Sequence, residues 1–332
     1  MDDARRGACD PQTTMMTIWL PKPFDVADTV LLRAPERPEP GYWVGSPSVL
    51  VDGDVTWLTY RDRRPRDVAN ERGWRSAIAV SRDGRAFEDV WEVHKDDLET
   101  PSMERFDLTR TDDGYELYLS YVDPADGRWR IDSVTAAQPE HFDVATRRPV
   151  LSARSTGTEG VKDPVVVEID GVVHLYASYA ALGMGLGAAA HASADIYNTG
   201  KTHHPTGLAT NDGSGFRWRG NVFEIGAPNS WDGYQARLGA VVPTADGFVG
   251  FYDGSARHAE NYEERLGLAT STDGRSWRRV SSKRPWLTGA APSGSIRYVD
   301  VAVRNGAWWI YHEVTRPDGA HELRLGVIEG PR

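Results

Sequence analysis

The chain of 332 residues has a single cysteine, Cys9, so no internal disulfide can staple it. It has no run approaching about 18 consecutive apolar residues, and a membrane-spanning helix is therefore not expected. Its opening, Met1-Asp-Asp-Ala-Arg-Arg, lacks the apolar core of a secretory signal, so the expectation is a cytoplasmic protein with no membrane partner. Positive charge is in deficit: 38 Lys and Arg against 48 Asp and Glu give a net charge of -10 and a pI near 5.4. A surface of that sign repels phosphate backbones, and no nucleic-acid partner is expected. There is no HExxH motif and no cysteine cluster, and the adjacent His203 and His204 would point to opposite faces of a strand. Neither a metal nor a cofactor is expected.

Glycine is plentiful, with 33 residues, and five of them mark one recurring pattern. An alternating apolar strand runs into a tight Asp-Gly or Asn-Gly turn and returns as a second strand rich in aromatics. The copies run from Ser46 to Tyr60, Glu104 to Tyr121, Lys162 to Tyr179, Arg237 to Tyr252 and Tyr298 to Tyr311. Their turn glycines, at 53, 114, 171, 247 and 306, are separated by 61, 57, 76 and 59 residues. Each interval is about the length of one four-stranded propeller blade with its loops, which predicts an all-β, five-bladed β-propeller. The dipeptides predict type I′ hairpins, whose central residues have positive φ. Ser81-Arg-Asp83-Gly84, Thr210-Asn-Asp212-Gly213 and Ser271-Thr-Asp273-Gly274 read as structural turns in outer hairpins, each acidic side chain bonding its own turn backbone.

Three segments break the pattern. Residues 1–40, rich in Pro and charge, read as an arm that closes the ring by supplying an outer strand, leaving 41–332 as the propeller domain. Residues 62–75 form a basic loop. The Gly/Ala-rich insertion 181–206 accounts for the longest interval and is a candidate lid.

In a propeller the innermost strands line a central channel, and the loops at one mouth gather residues from every blade. The inner strands open with Ser46-Pro-Ser48, Met103-Glu104-Arg105, Lys162-Asp163-Pro164, Ala236-Arg237 and Arg297-Tyr298-Val-Asp300. A charge facing such a channel must be paired or used. The second strands reach the same mouth with Arg61, Asp253, His312 and Glu313, and the loops behind them bring Glu260 and Arg265. Carboxylates and arginines that can grip vicinal hydroxyls, beside aromatics such as Trp43 and Tyr298 that stack on a sugar ring, suit a polyhydroxylated ligand.

Ser46-Pro-Ser-Val-Leu through Leu58-Thr-Tyr60-Arg61, with Ala77 to Phe87, resembles the first blade of glycoside hydrolase family 130, the mannoside phosphorylases and β-mannosidases, related more distantly to families 43 and 32. Met103-Glu104-Arg105-Phe-Asp107 sits where that family has a Glu-Asp-Pro-Arg motif, Lys162-Asp163 matches its Lys-Asp, and Arg237 through Tyr252 is similar to its fourth blade. The resemblance spans most of residues 42–314 and implies Glu104 or Asp107 as proton donor. Family 43 carries a base Asp in the first-blade opening, where this chain has Ser46-Pro-Ser48. The nucleophile would then be an anion such as inorganic phosphate, held by Arg61, Arg105 or Arg237, or the chemistry departs from inverting hydrolysis.

The expectation is a carbohydrate-active enzyme cleaving a glycosidic bond in the central bowl, as a glycosidase or glycoside phosphorylase. Glu104 and Asp163 lead as acids, with Asp300 and Glu313 able to position water. Trp43, Arg61, Arg105, Asp107, Lys162, Arg237, Asp253, Glu260, Arg265, Arg297, Tyr298 and His312 are the candidate substrate contacts. The alternatives are a propeller recruited to small-molecule biosynthesis with non-hydrolytic acid-base chemistry, and a non-catalytic sugar-binding module.

Overall fold

A computed structural model describes residues 18–68, 71–183 and 186–331. Strand accounts for 49% of it and helix for 9%. The only α-helix among the described residues is the single turn α1 (Ala153–Thr156). After an edge strand β1 (Val30–Arg33), four strands follow in antiparallel order: β2 (Trp43–Asp52), β3 (Val55–Arg63), β4 (Arg75–Ser81) and β5 (Glu88–His94). The second group is β6 (Asp107–Thr111), β7 (Gly114–Val122), β8 (Trp129–Ala136) and β9 (Arg148–Leu151). The third is β10 (Gly160–Ile169), β11 (Val172–Ala180), β12 (Thr206–Asn211) and β13 (Arg217–Phe223). The fourth is β14 (Gln235–Thr244), β15 (Gly247–Ser255), β16 (Arg265–Ser271) and β17 (Arg278–Arg279). Last come β18 (Ile296–Arg304), β19 (Ala307–Thr315) and β20 (His321–Glu329), to which β1 adds the outer strand. A parallel bridge from Trp43 to His321 joins this group to the first.

The first strands of successive groups pack on one another, β2 on β6, β6 on β10, β10 on β14, β14 on β18 and β18 back on β2, around a central channel. Alternation of side chains along each strand places one apolar face of every group against its neighbour. Five clusters fill these interfaces, typified by Leu98 with Leu117, Ile131 with Leu175, Tyr176 with Leu238, Phe251 with Ile310, and Leu58 with Leu323. A sixth lies beneath the insertion, where Ile196 and Tyr197 pack on Trp129 and Ala180.

Type I′ geometry is present in only two of the five hairpins. Asp170-Gly171 and Asn305-Gly306 have φ of +51/+74 and +51/+75. In the second and fourth groups the loops are Asp112-Asp113 and Ala245-Asp246, and Gly114 and Gly247 open the returning strand at φ +148 and +133. In the first the loop is Gly53-Asp54, with positive φ at Gly53 alone. The dipeptide marked each turn but not its register: in three of the five the two-residue loop sits one position away from it. Asp83 and Asp273 each accept two amides of their own turn, at 2.8 and 2.8 Å and at 2.8 and 2.7 Å. In the remaining turn Asp212 accepts the amide of Ser214 (3.2 Å), and Asn211 accepts those of Gly213 and Gly215.

Candidate active site

Every first strand carries an extra residue at the same level of the channel. The ladder slips between Gly45 and Ser48, Lys162 and Val165, Leu238 and Ala240, and Arg297 and Asp300. In the second group Glu104 donates its amide to the Ser120 carbonyl and regular pairing resumes at Asp107. Such a bulge leaves an amide out of the ladder and re-aims a side chain. Ser46, Asp163 and Tyr298 adopt φ of +54, +59 and +48, a left-handed conformation that costs an L-residue roughly 1–2 kcal/mol.

A side chain of the preceding group fastens each bulge. The Ser46 amide donates to Glu313 (3.1 Å), Asp163 to the Ser120 hydroxyl (3.2 Å), Leu238 to Thr206 (2.9 Å) and Tyr298 to Asp253 (2.9 Å). In the remaining case Thr59 donates to the Phe106 carbonyl (3.1 Å). Gly45 is needed here because a Cβ at this position would lie 2.0 Å from Glu313 Oε2.

The fastened bulges aim a charged cluster into the upper end of the channel, all of it buried. Glu104 is ion-paired to Arg61 and lies 3.0 Å from Lys162 Nζ. Tyr298 donates its hydroxyl to Glu104 (2.7 Å), with Asp163 at 3.4 Å from the same oxygen. Asp163 also meets Lys162 (3.4 Å) and Arg237 (2.8 Å), whose guanidinium stacks 3.7 Å above the Tyr298 ring. Arg297 bridges Glu264 (2.7 Å) and Glu313 (2.9 Å), and His321 Nδ1 lies 2.6 Å from Glu313.

Burial alone would raise the Glu104 pKa, but Arg61 and Lys162 outweigh it and hold the carboxyl well below its usual range. Arg297, with His321, does the same for Glu313. Burial raises the Tyr298 phenol well above its ordinary value, and against the pull of Arg237 the carboxylates Asp163 and Glu104 raise it further. Asp253 is raised by burial despite Arg237.

Cationic donors remain in this cluster. Arg63 is wedged 4.0 Å from the Trp43 ring and 4.4 Å from that of Tyr262, and no carboxylate of the described residues pairs with it. Its burial lowers its pKa. Arg63 Nε, Arg61 Nε and Nη2, and Arg297 Nη2 have no hydrogen-bond acceptor among the described protein groups. Above them, Asp195 of the insertion pairs with Arg66 and with Arg72 (2.8 Å) of the basic loop, and accepts from the Tyr262 hydroxyl (3.1 Å). Beneath this roof the cavity is about 10 Å³, the space of one water.

Of the residues singled out from sequence, Trp43, Arg61, Glu104, Lys162, Asp163, Arg237, Asp253, Arg297, Tyr298 and Glu313 converge here. Arg105 does not. It spans the channel below, donating to the carbonyls of Gly239 (2.6 Å) and Val299 (3.3 Å) and pairing with Asp300 at 3.2 Å. Asp107 and Asp300 lie beyond it, at the other end. His312 faces out of the channel, with Nδ1 3.0 Å from the Ile310 carbonyl and its ring against Phe24, because it alternates with Glu313. Glu260 and Arg265 pair with each other (2.9 Å) at the partly exposed rim. Sequence reasoning passed over Arg63, Arg72, Asp195, Tyr262, Glu264 and His321. Only Arg63 carried a periodic signal, sharing a strand face with Arg61.

No protein-family model matches the chain, and no curated protein matches it. Among solved structures it is similar to one described as a glycoside hydrolase, at 12% identity and TM-score 0.66, covering 94% of this chain and 95% of that one. It is similar to a β-1,2-mannobiose phosphorylase from Listeria innocua in complex with β-1,2-mannobiose, at 13% identity and TM-score 0.61, covering 91% and 94%. A thermostable family-43 glycoside hydrolase matches at 13% identity and TM-score 0.62 over 86% and 89%. At these identities the likeness speaks for the fold: the four-stranded sheets are arranged as in the propellers of glycoside hydrolase-type structures.

Proposed function

We propose that the chain is a five-bladed β-propeller enzyme that cleaves a glycosidic bond at the upper end of its channel, with an anion held by arginines as nucleophile or as part of the substrate. The observation that carries this reading is the set of unsatisfied guanidinium donors on Arg61, Arg63 and Arg297 beside the buried Glu104. Glu104 and Asp163 share both the Tyr298 hydroxyl and Lys162 Nζ, which draws the two carboxylates toward one pair of donors. Inverting hydrolysis places its water between carboxyl groups roughly 6.5–9.5 Å apart. A nucleophile delivered from the arginine side suits this geometry better.

Glu104 is ionised by its cations and is not an acid in the resting site. An anion entering beside Arg61 would neutralise the charge that holds the carboxylate ionised, raising its proton affinity and making it the acid that protonates the leaving oxygen. Anion binding and acid catalysis are thereby coupled. The test is a panel of aryl glycosides and mannosyl disaccharides with and without inorganic phosphate. Sugar 1-phosphate formed only with phosphate supports phosphorolysis, turnover in phosphate-free buffer supports a hydrolase, and no turnover in either arm removes the reading.

The absence of a carboxylate at Ser46 favours the second reading, non-hydrolytic acid-base chemistry on a small molecule in a biosynthetic sequence. Sugar binding without turnover, measured by calorimetry, would instead leave a binding module.

A further inference from the structure

Below the Arg105 guanidinium the channel widens into a second compartment that the proposed chemistry does not use. Its volume is about 580 Å³, within the range of pockets that hold a small organic molecule. Asp107, Val165 and Asp300, each the first residue after the bulge on its strand, line its inner end. The lining is two-sided. Asp107, which accepts a hydrogen bond from Ser48, and Asp300 form its polar side, and Val165 and Val241 belong to its apolar side. Valines such as Val166, Val241 and Val301 continue the apolar wall outward. Asp112, Glu116 and Glu168 stand nearer the opening, with Arg110 as the one cationic residue of the lining.

We propose that this lower compartment is a binding site for an amphipathic organic cation, its ammonium group against Asp300 and Asp107 and its hydrocarbon body along the valines. Five carboxylates face two cations, Arg110 of the lining and Arg105 at the inner end, an excess that selects the sign of the ligand. Among the described residues no group of three or more His, Cys, Asp or Glu side chains is placed to hold a metal ion. An ammonium needs only one or two acceptors and gains from the apolar wall. Arg105 plugs the inner end, so the ligand would enter from the face opposite the glycosidic site and leave that site untouched.

The position of Asp300 makes binding pH-dependent. The groups around it are the Val49 amide (2.8 Å) on β2, Arg105 (3.2 Å) before β6, Asp107 on β6, its own neighbour Val301 on β18 and Tyr311 on β19; β10 and β14 present Val165 and Val241. Burial raises its carboxyl to about 7, Arg105 opposing and Asp107 reinforcing the shift. A cationic ligand prefers the ionised carboxylate, so affinity rises as the pH is raised from 6 to 8, while the ammonium stays charged.

Calorimetric titration with 4-phenylbutylammonium, 4-phenylbutanol and 4-phenylbutanoate, which share one apolar body, tests this at pH 6, 7 and 8. The ammonium is expected to bind at least about 10-fold more tightly than the carboxylate, and more tightly by roughly several-fold at pH 8 than at pH 6. Asp300→Asn is expected to remove that pH dependence. Glu168→Lys, at an exposed position that no packing depends on, is expected to weaken the ammonium about 3-fold or more. A rise in melting temperature with ammonium concentration gives an independent readout of binding. No binding of the ammonium up to 10 mM (about 100-fold above the affinity expected of such a site), equal affinity for all three probes, or ammonium binding insensitive to pH and to both variants would overturn the proposal.

Discussion

Four of the carboxylates in the upper channel look alike in sequence, yet their neighbours assign them different work. Glu313 and Asp253 each accept the amide of a left-handed bulge residue, which accounts for their burial without any role in a reaction. Glu104 and Asp163 hold no such tie through their carboxyl groups and meet cations and the Tyr298 hydroxyl instead. Removing the Glu104 charge leaves Arg61 and Lys162 buried beside it with their charges less compensated. Glu104→Gln is therefore expected to lower stability by about 3 kcal/mol or more, and, if Glu104 is the acid, to lower turnover by roughly 100-fold or more. The double variant Glu104→Met with Arg61→Met removes the pair together and should recover most of the stability but none of the activity. Denaturant melts and kinetics on both variants check this; unchanged turnover in Glu104→Gln would take the residue out of the mechanism.

The strands were legible because each element repeats the same physical demands: alternation that buries one face, a turn that accepts positive φ, and aromatics on the returning strand. The charged openings of the first strands could be read for the same reason, and Glu104, Lys162, Asp163, Arg237 and Arg297 do share the upper channel. Arg105 could not be placed, since a bulge redirects the side chain that follows it and no composition signal gives that direction. The roof was illegible for another reason. Asp195, Arg66, Arg72 and Tyr262 come from connecting segments whose position no period fixes. Their contact makes a prediction of its own, because Asp195 is the buried carboxylate that holds the insertion to the basic loop. Asp195→Asn should lower the cost of lifting residues 186–202, and tryptic cleavage after the exposed Lys201 should quicken by about an order of magnitude. Mass spectrometry of the timed digest decides it, and an unchanged rate would mean that the packing of Ile196 and Tyr197 and the remaining hydrogen bonds, such as Arg72 to the Ala194 carbonyl (2.9 Å), hold the segment without Asp195.

Across the whole molecule, the buried charges fix how stability responds to acid. Burial lowers His204 to about 3 and His312 to about 4, so both are neutral in the folded chain. For a histidine with a depressed folded pKa, the unfolded chain takes up the proton first, and stability is lost as the pH falls below about 6.5. At pH 5 each contributes a loss of about 2 kcal/mol. Asp300, raised to about 7, works in the opposite sense: the folded chain takes up its proton first, and stability grows as the pH falls from about 7 toward 4. That gain offsets about 2 kcal/mol between pH 7 and 5, leaving a net loss of about 2 kcal/mol for the three groups together. Glu264, held near 2 by Arg297 and Arg237 against burial, contributes only further down, losing its stabilisation as the pH drops below about 4.5. The wild-type chain should thus lose stability gently from pH 7 to 5 and steeply below 4.5. Asp300→Asn cancels the compensating term, and its loss between pH 7 and 5 should exceed that of the wild type by about 2 kcal/mol. Urea melts at half-unit pH intervals measure both slopes, and parallel curves for the two proteins would show that Asp300 is ionised in the folded chain throughout this range.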